Sequence, residues 1–277
     1  SRQWKKNKRI LAGCIALMLA VGMMSVMATP IMAKAAPRRN ILKEGSDYTA
    51  ILYDSTNGLP TSEANAIAQT ANGFIWIGSY AGLIRYDGTN FYRYDASSGI
   101  SSVVSLFVDS KQRLWIGTND SGVSVLEKGE FRAWGKADGL RSASIRSIAE
   151  DENGNIIIAS TQGLAYIDEN MELHLIDDAR VNGEYIYELK VDSAGHIFGD
   201  TSKGSVFEIE DLHIAAFYNS SDIGNEVINS IYSDPDGTGI IYMGSEGSEI
   251  YEVDIDAGEV KGTLKATGLT AGEIGKL

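Results

Sequence analysis

Three histidines have the widest chemical range of the side chains in this sequence, because a neutral imidazole can bind a metal ion or accept a proton. His174, His196 and His213 fall at unrelated points of the chain. Their spacing matches no zinc-binding pattern, and no serine or carboxylate accompanies them in the arrangement of a hydrolytic triad. The sequence therefore predicts neither a zinc site nor nucleophilic catalysis.

Carboxylates are the second candidate chemistry, and many of them fall in short turns of the type Asp-x-x-Gly. The strongest candidate for calcium among these turns is Asp234-Pro235-Asp236-Gly237. An EF-hand loop needs carboxylates at alternate positions, whereas hairpin turns use Asp and Gly for local hydrogen bonds and backbone conformation. We therefore predict turns without a metal ion, no cofactor, no catalytic acid–base pair, and no enzymatic activity in this chain.

A repeat of about 40 residues organises the chain from Thr61 onward. Trp76-Ile77-Gly78 recurs as Trp115-Ile116-Gly117. Weaker copies follow as Ile157-Ile158-Ala159, Ile197-Phe198-Gly199 and Tyr242-Met243-Gly244. Short runs of alternating apolar and polar residues, separated by Asn-Gly and Asp-Gly turns, surround the motif and indicate antiparallel strands in hairpins. Four strands per repeat at this period predict the blades of a β-propeller.

The predicted fold class is therefore all-β, a propeller of four-stranded antiparallel blades. Five blades are visible, and the ring is expected to be truncated at the C-terminus. The predicted propeller spans 48–277, with an outer closing strand at 48–53, blades at about 61–100, 101–140, 141–183, 184–225 and 226–269, and the start of a sixth at 270–277. The two tryptophans of the motif are expected to pack between blades.

The first 47 residues differ in character from the repeats. Arg2 to Arg9 is basic, Ile10 to Met32 is mostly apolar, and small residues follow at Ala33 to Ala36. This pattern predicts a signal peptide over 1–35, with a retained signal anchor as the alternative because the apolar run is long enough to span a bilayer. A linker is predicted at 36–47. Either version predicts export of the propeller.

The charge of the chain limits its partners. The formal net charge is −13, and 1–35 holds six Lys and Arg and no acid, so the remainder is more acidic still. Such a field repels nucleic acid, and we predict no nucleic-acid partner. Cys14 is the only cysteine, so the predicted propeller has no disulfide bond.

The first strand of each blade is expected to line the central channel. The fifth residue before the end of each first strand is variable and mostly polar: Asn65, Val104, Arg146, Tyr187 and Asn229. The residue one place earlier is always apolar: Ala64, Val103, Ile145, Ile186 and Ile228. Because side chains alternate along a strand, the apolar set should pack between sheets and the other set should face the channel.

The turns between second and third strands lie on the same face as the beginnings of the first strands. Together the two features predict a ligand site at the mouth of the funnel, formed by Asn65, Tyr80, Asn119, Asp120, Arg146, Gln162, Tyr187 and Asn229. Polar groups among aromatic rings suit a small polar or carbohydrate-like ligand. A solvated channel that binds no ligand is the alternative.

The repeat also resembles a known family. Asn57-Gly58-Leu59-Pro60, Gly73-Phe74-Ile75-Trp76-Ile77-Gly78 and Gly82-Leu83-Ile84-Arg85-Tyr86-Asp87-Gly88 are similar to the two-component regulator propeller repeat. The resemblance covers roughly Tyr48 to Leu269 and is strongest in the first two blades. It implies the extracytoplasmic sensor region of a bacterial hybrid histidine kinase or membrane diguanylate cyclase, which senses a nutrient such as a carbohydrate fragment.

The predicted function is therefore ligand sensing by a bacterial membrane signal-transduction protein, at the periplasmic or outer side of the membrane. The parent protein is expected to form a homodimer, to attach to the membrane through the N-terminal segment or a helix beyond Leu277, and to carry the kinase or cyclase module elsewhere. Two alternatives stay open. The first is a secreted propeller enzyme that acts on polysaccharide, such as a lyase or glycosidase, and the second is a protein-interaction scaffold.

Overall fold

A computed structural model describes residues 51–54, 56, 58–61, 63–222, 228–234, 238–245, 249–254 and 257–265. The chain divides into two units, residues 1–57 and 58–277. In the first unit the described residues 51–54 contain no strand, and Thr56 donates its backbone N–H to Asp54 Oδ1 over 2.8 Å in a local turn. The predicted signal segment, the linker and the start of a sixth blade lie outside the described residues, and the predicted outer strand at 48–53 lies partly outside them.

The second unit contains five four-stranded sheets, called blades one to five in chain order. Blade one contains β1 (Ala66–Gln69), β2 (Ile75–Ser79), β3 (Gly82–Tyr86) and β4 (Phe91–Tyr94). Blade two contains β5 (Val103–Val108), β6 (Leu114–Thr118), β7 (Val123–Glu127) and β8 (Glu130–Trp134). Blade three contains β9 (Ile145–Glu150), β10 (Ile156–Ser160), β11 (Gly163–Ile167) and β12 (Leu173–Ile176).

Blade four contains β13 (Ile186–Val191), β14 (Ile197–Thr201), β15 (Val206–Glu210) and β16 (His213–Tyr218). Blade five contains β17 (Ile228–Ser233), β18 (Ile240–Ser245), β19 (Glu249–Asp254) and β20 (Glu259–Lys265). Short 3-10 turns at Ala96–Ser98, Lys136–Asp138 and Ser220–Asp222 follow the last strands of blades one, two and four. The strands of each sheet fall within one predicted blade, while the domain limits themselves stay a prediction.

Within every sheet the strands are antiparallel and follow one another in chain order. The first strands contact each other in the sequence β1, β5, β9, β13, β17. Each blade is therefore a meander whose first strand lies at the inner edge, and the prediction of all-β propeller blades is confirmed. In the described part of the chain no helix is both long and apolar enough to cross a lipid bilayer.

Apolar side chains from neighbouring blades form the core between the sheets. Trp76 of blade one packs with Val103 and Leu114 of blade two. Trp115 of blade two packs with Ile145 and other isoleucines of blade three. Trp76 is 5% exposed and Trp115 is 0% exposed. The prediction that these tryptophans pack between blades is confirmed.

Two glycines after the tryptophan motif are required by close backbone contacts. Gly82 has a φ of +122°, and a Cβ there would lie 2.2 Å from the carbonyl oxygen of Tyr94. Gly122 has a φ of +85° and its Cβ would lie 2.1 Å from the carbonyl oxygen of Trp134. Any larger residue would push the last strand of its blade away, so these glycines fix the turn between second and third strands.

The motif of blade four is displaced by one residue from the alignment that the sequence predicts. Three residues after the bulged Val104 of β5, Phe107 pairs with Trp115. The corresponding pair in blade four is Lys190 with Phe198. Phe198, not Ile197, therefore occupies the tryptophan position, and Asp200 occupies the position of Gly117. The alignment of Ile197-Phe198-Gly199 with Trp115-Ile116-Gly117 was wrong by one residue, because Gly199 looks like the small residue of the motif although Asp200 takes its place.

Candidate functional site

The first strands of blades two to five each have a β-bulge at the position predicted to face the channel. In β9, Ile145 pairs with Ser160 and Ser147 pairs with Ala159, so Arg146 is the extra residue between them. The other bulged residues are Val104, Tyr187 and Asn229. A bulge bends its strand and re-aims one side chain out of the ladder, which is why bulges recur beside binding sites.

The residues before these bulges pack between the sheets, as predicted. Val103, Ile145, Ile186 and Ile228 are all 0% exposed, and Ala64 is half-buried. In blades three and four the bulged side chain is more accessible, since Arg146 is half-buried and Tyr187 is 44% exposed. In blades three and four, the residue before the bulge is therefore buried between the sheets, while the bulged residue is accessible to solvent.

Asn119 links Arg146 to the turn of the preceding blade. Its Oδ1 accepts a hydrogen bond from Arg146 Nη2 over 2.9 Å and another from Ser144 Oγ over 3.2 Å. Its own backbone N–H donates to the carbonyl of Ser102 over 2.9 Å, which holds the turn in place. Arg146 Nε is buried and has no hydrogen-bond partner among the described residues. The guanidinium is therefore oriented by an amide while part of its donor capacity stays unused.

Two tyrosines of blade four complete the arrangement around the guanidinium. Arg146 Cζ lies 5.1 Å from the ring centroid of Tyr185. The rings of Tyr185 and Tyr187 are 4.6 Å apart and tilted by 48°. Burial raises the pKa of Tyr185 above its usual value of 10.0, the charge of Arg146 opposes that rise, and Tyr187 and Tyr80 add to it. Tyr185 is therefore a neutral phenol at physiological pH, able to donate or accept a hydrogen bond.

Tyr80 approaches the same group from blade one. It lies in the turn between β2 and β3, is 56% exposed, and adds to the rise in the pKa of Tyr185. Blades one to four therefore each contribute to one group of side chains, which we call the Arg146 cluster: Tyr80, Asn119, Ser144, Arg146, Tyr185 and Tyr187. The rings of Tyr185 and Tyr187 and the guanidinium of Arg146 form a surface that can stack on a flat ligand and hydrogen-bond its polar atoms.

Four of the residues predicted to bind the ligand are not part of the Arg146 cluster. Asn65 donates its Nδ2 to the carbonyl of Val103 over 2.9 Å and so ties blade one to blade two. Asp120 is exposed and accepts a hydrogen bond from Ser121 Oγ over 2.8 Å. Gln162 is exposed in the turn between β10 and β11. The side chain of Asn229 lies outside the described part of the structure. The predicted assignment of these four as ligand contacts stays a prediction.

The sequence prediction missed Ser144 and Tyr185. Both lie two residues before a bulge position, Ser144 before Arg146 and Tyr185 before Tyr187. Since side chains two apart on a strand share a face, extending the alternation by one step would have found them. The signal was present, but only one residue per strand was considered.

None of the three histidines belongs to the Arg146 cluster. His174 Nε2 lies 3.2 Å from Asp168 Oδ2, and His196 Nδ1 lies 2.9 Å from Asp192 Oδ2. His213 Nδ1 lies 2.6 Å from the carbonyl of Asp211. Each histidine therefore interacts within a hairpin of its own blade.

One group of side chains in the described part has the composition of a metal site. The ligand atoms of Asp168, Glu172 and His174 lie within 4.8 Å of one another. However, Asp168 Oδ1 already accepts the backbone N–H groups of Asn170 and Glu172, over 3.0 and 2.8 Å. The carboxylate therefore has a structural use in the turn before β12.

A buried carboxyl lies close to the Tyr187 bulge. Asp200 on β14 pairs with Glu188 on β13 and is 0% exposed. Its Oδ1 accepts the backbone N–H of Glu188 over 3.0 Å, and its Oδ2 has no partner among the described residues. Burial, followed by the charge of Glu188, raises the pKa of Asp200 from 3.8 to about 7. The proton on Asp200 thus exchanges in the physiological pH range.

Two stretches of the sequence, residues 58–81 and 97–120, match the family model of the two component regulator propeller. These two stretches are repeats of the two component regulator propeller type. The two regulator propeller matches contain Trp76 and Trp115 and also Tyr80 and Asn119 of the Arg146 cluster. The family resemblance in the first two blades is confirmed. None of the curated protein sequences that were compared matches the chain.

Solved structures with a similar fold include extracellular domains of two component systems and a lyase. This chain is 20% identical to the extracellular domain of a hybrid two component system from B. thetaiotaomicron, with a TM-score of 0.55, and the match covers 72% of this chain and 27% of that one. A second B. thetaiotaomicron extracellular domain is 20% identical with a TM-score of 0.51, covering 69% and 26% of the two chains.

The virginiamycin B lyase of Staphylococcus aureus is 13% identical to this chain. Its TM-score is 0.61, and the match covers 74% of this chain and 70% of that one. At these identities the similarities establish the propeller fold alone.

Proposed function

We propose that this chain is the extracytoplasmic ligand-sensing propeller of a bacterial membrane signal-transduction protein, and that it binds a small polar or carbohydrate-like ligand at the Arg146 cluster. The observation that carries this proposal is the convergence of Arg146, Tyr185 and Tyr187 beside bulged first strands of two blades. The regulator propeller repeats support a sensor rather than another use of the fold.

The chemistry of the cluster suits a hydroxyl-rich ligand. Tyrosine rings present a flat apolar face and a polar tip, so they can stack on the C–H face of a sugar ring and hydrogen-bond its hydroxyls. The guanidinium of Arg146 and the phenol of Tyr185 supply directional hydrogen bonds. Because each blade contributes few contacts, the ligand must bridge blades three and four to gain them all.

Bridging supplies a mechanism for signalling. A ligand that contacts two blades at once favours the arrangement of blades in which both sets of contacts form, and so it shifts the population between arrangements. In the parent protein, a homodimer attached to the membrane through the N-terminal segment or a helix beyond Leu277 would pass this shift to a kinase or cyclase module. The basic and apolar N-terminal segment supports the exported location.

The experiment is a calorimetric titration of the chain with neutral and acidic oligosaccharides, combined with a product assay on the same mixtures. Binding without turnover is expected. Tyr187→Ala and Arg146→Gln should each weaken binding at least about tenfold, the range for loss of a stacked ring or a charge-assisted hydrogen bond. Tyr232→Ala is the matched control, since Tyr232 is 43% exposed and pairs with Tyr242 in blade five instead.

Other outcomes would favour the alternatives. Turnover of an oligosaccharide would support a propeller lyase or glycosidase, a reading suggested by the fold shared with a lyase. Neither binding nor turnover across the panel would favour an interaction scaffold. Equal weakening by Tyr232→Ala would show that the Arg146 cluster is not the binding site.

A further inference from the structure

A second concave site lies between blades one and two, at the opposite end of the blades from the Arg146 cluster. Its position follows from the meander, because turns between first and second strands and turns between second and third strands lie at opposite ends. The cleft has a volume of about 460 Å³, within the usual range for small-molecule sites. We call it the Trp76 cleft, and its principal lining side chains are Phe74, Trp76, Arg85, Tyr94, Gln112 and Lys128.

The equivalent space between blades two and three is filled. Arg113 is 7% exposed there, and its Nε lies 2.6 Å from Asp109 Oδ2. Met171 of blade three closes the space, with its sulfur 3.2 Å from Arg113 Nη1. In blade one the residue at the Arg113 position is Phe74, so no comparable ion pair enters the space.

The turn across the cleft is also shorter. In blade three, Met171 lies in the longer turn between β11 and β12. In blade two, the equivalent turn between β7 and β8 consists only of Lys128 and Gly129. Gly129 has no side chain to project into the cleft, and Lys128 is exposed. The Trp76 cleft is therefore open where the equivalent space between blades two and three is filled, because Phe74 and the short turn at Lys128 and Gly129 replace Arg113 and the turn that holds Met171.

The cations of the cleft have no internal counter-ion. Arg85 Cζ lies 4.6 Å from the ring centroid of Phe74 and 4.7 Å from that of Tyr92. Its Nε is buried without a hydrogen-bond partner, and neither Arg85 nor Lys128 forms an ion pair with any residue that the structure describes. No carboxylate lines the cleft, although the formal net charge of the chain is −13. The cleft is thus a local positive site on an acidic protein.

We propose that the Trp76 cleft binds a small organic anion in which a carboxylate is attached to an apolar or aromatic ring. The guanidinium of Arg85, held flat by two rings, presents parallel N–H groups that suit a carboxylate. Lys128 adds a second positive charge from blade two. The rings of Phe74, Trp76 and Tyr94 form the apolar part of the site, and the Gln112 side chain, whose Oε1 accepts the backbone N–H of Ala71 over 3.0 Å, fixes its polar edge.

The test is a ligand-observed NMR titration of the full chain with phenylacetate. Phenylacetamide, which has the same ring and no charge, and acetate, which has the charge and no ring, are the matched probes. Phenylacetate should bind one site in a saturable way and more weakly as salt is raised, because the attraction is between charges. Both other probes should bind at least about tenfold more weakly, since each lacks half of the recognised features.

Variants assign the binding to the cleft. Arg85→Gln should weaken phenylacetate at least about tenfold, as expected for a lost charge-assisted contact, and Lys128→Gln by about threefold. Arg132→Gln is the control, since Arg132 lies 4.8 Å over the Trp134 ring in blade two and does not line the cleft. Tyr187→Ala at the Arg146 cluster should also leave phenylacetate binding unchanged.

Several results would overturn the proposal. They are equal binding of phenylacetamide, equal weakening by Arg132→Gln, or no saturation by phenylacetate in the millimolar range. If Arg85→Gln does not fold, Lys128→Gln and the comparison of probes still decide the question, because Lys128 lies in an exposed turn.

Discussion

Arg146 of blade three lies over the ring of Tyr185 of blade four, with 5.1 Å between Cζ and the ring centroid, and Asn119 of blade two orients it from the other side. The hydrogen bond from Arg146 Nη2 to Asn119 Oδ1 joins two blades, and the ring contact joins the third. A change at Asn119 should therefore be felt both in stability and in the shape of the proposed site.

The first prediction concerns this amide. Asn119→Ala removes the acceptor of Arg146 and Ser144, and the free energy of unfolding should fall by about 1 kcal/mol, because two hydrogen bonds to the neighbouring blade are lost together. Asp120→Ala, at the next residue, removes only an exposed contact to Ser121 and should change stability by less than about 0.5 kcal/mol. Denaturant unfolding measures both. Equal effects would show that Asn119 does not support Arg146.

Stability should also depend on pH through Asp200. Its pKa is raised to about 7 in the folded protein from 3.8, so the unfolded chain loses this proton at lower pH than the folded one. The stabilising effect of the retained proton is complete below about pH 4 and is lost as pH rises toward 7. The free energy of unfolding should fall over that window by no more than about 4 kcal/mol, since about three units separate the two pKa values.

The variant Asp200→Asn isolates this effect. It has no proton to lose, so its stability should be nearly flat between pH 4.5 and 7.5 and should exceed that of the parent chain at the upper end. Hydrogen bonds lower the pKa of Asp87, Asp95 and Asp168, and their contribution is lost only below pH 4, outside the window. A parent chain whose stability rises toward pH 7, or a variant with the same slope, would contradict the prediction.

Gly82 tests the packing of the turn beside the candidate site. Gly82→Ala would place a Cβ 2.2 Å from the carbonyl oxygen of Tyr94 at a φ of +122°, and we expect a loss of stability above about 2 kcal/mol. Gly73→Ala is the control, because its φ is +88° but no atom lies within 4 Å of the added Cβ. It should cost about 1 kcal/mol, the cost of the backbone conformation alone. Thermal unfolding of the two variants separates contact from conformation, and similar losses would argue against the contact.

The regularity of the repeat decides which features could be predicted from the sequence. Blade number and the buried residues before each bulge follow from a period of two within a period of about 40. The alignment failed in blade four because Phe198 replaces tryptophan and Asp200 replaces glycine. The register there follows from strand pairing, in which Phe198 pairs with Lys190 and Asp200 pairs with Glu188. The bulges themselves leave no mark in residue type.

The Trp76 cleft could not be predicted for a different reason. Phe74 is an ordinary strand residue by type, and nothing in its type shows that it leaves a space that Arg113 and Met171 fill one blade later. Whether a cleft is present depends on the combined size of several side chains from two blades, so it cannot be predicted from any single position in the sequence.

The last prediction concerns the buried ion pair of Asp109 and Arg113 in blade two and its replacement by the neutral residue types of blade one. Asp109 is 1% exposed and accepts from Arg113 Nε over 2.6 Å and from Trp115 Nε1 over 2.8 Å. Asp109→Ala would leave Arg113 buried without its counter-ion, and should lower the free energy of unfolding by about 3–5 kcal/mol.

Blade one meets the same need with neutral residues, since Trp76 Nε1 donates to Thr70 Oγ1 over 3.1 Å and Phe74 takes the place of Arg113. The double variant Asp109→Thr with Arg113→Phe should therefore recover at least half of the stability that Asp109→Ala loses, because it removes the buried charge together with its partner. Asp109→Thr alone, which keeps Arg113 unpaired, is the control for that recovery. A double variant no more stable than Asp109→Thr would show that the ion pair, and not the neutral pair of blade one, is what the second blade requires.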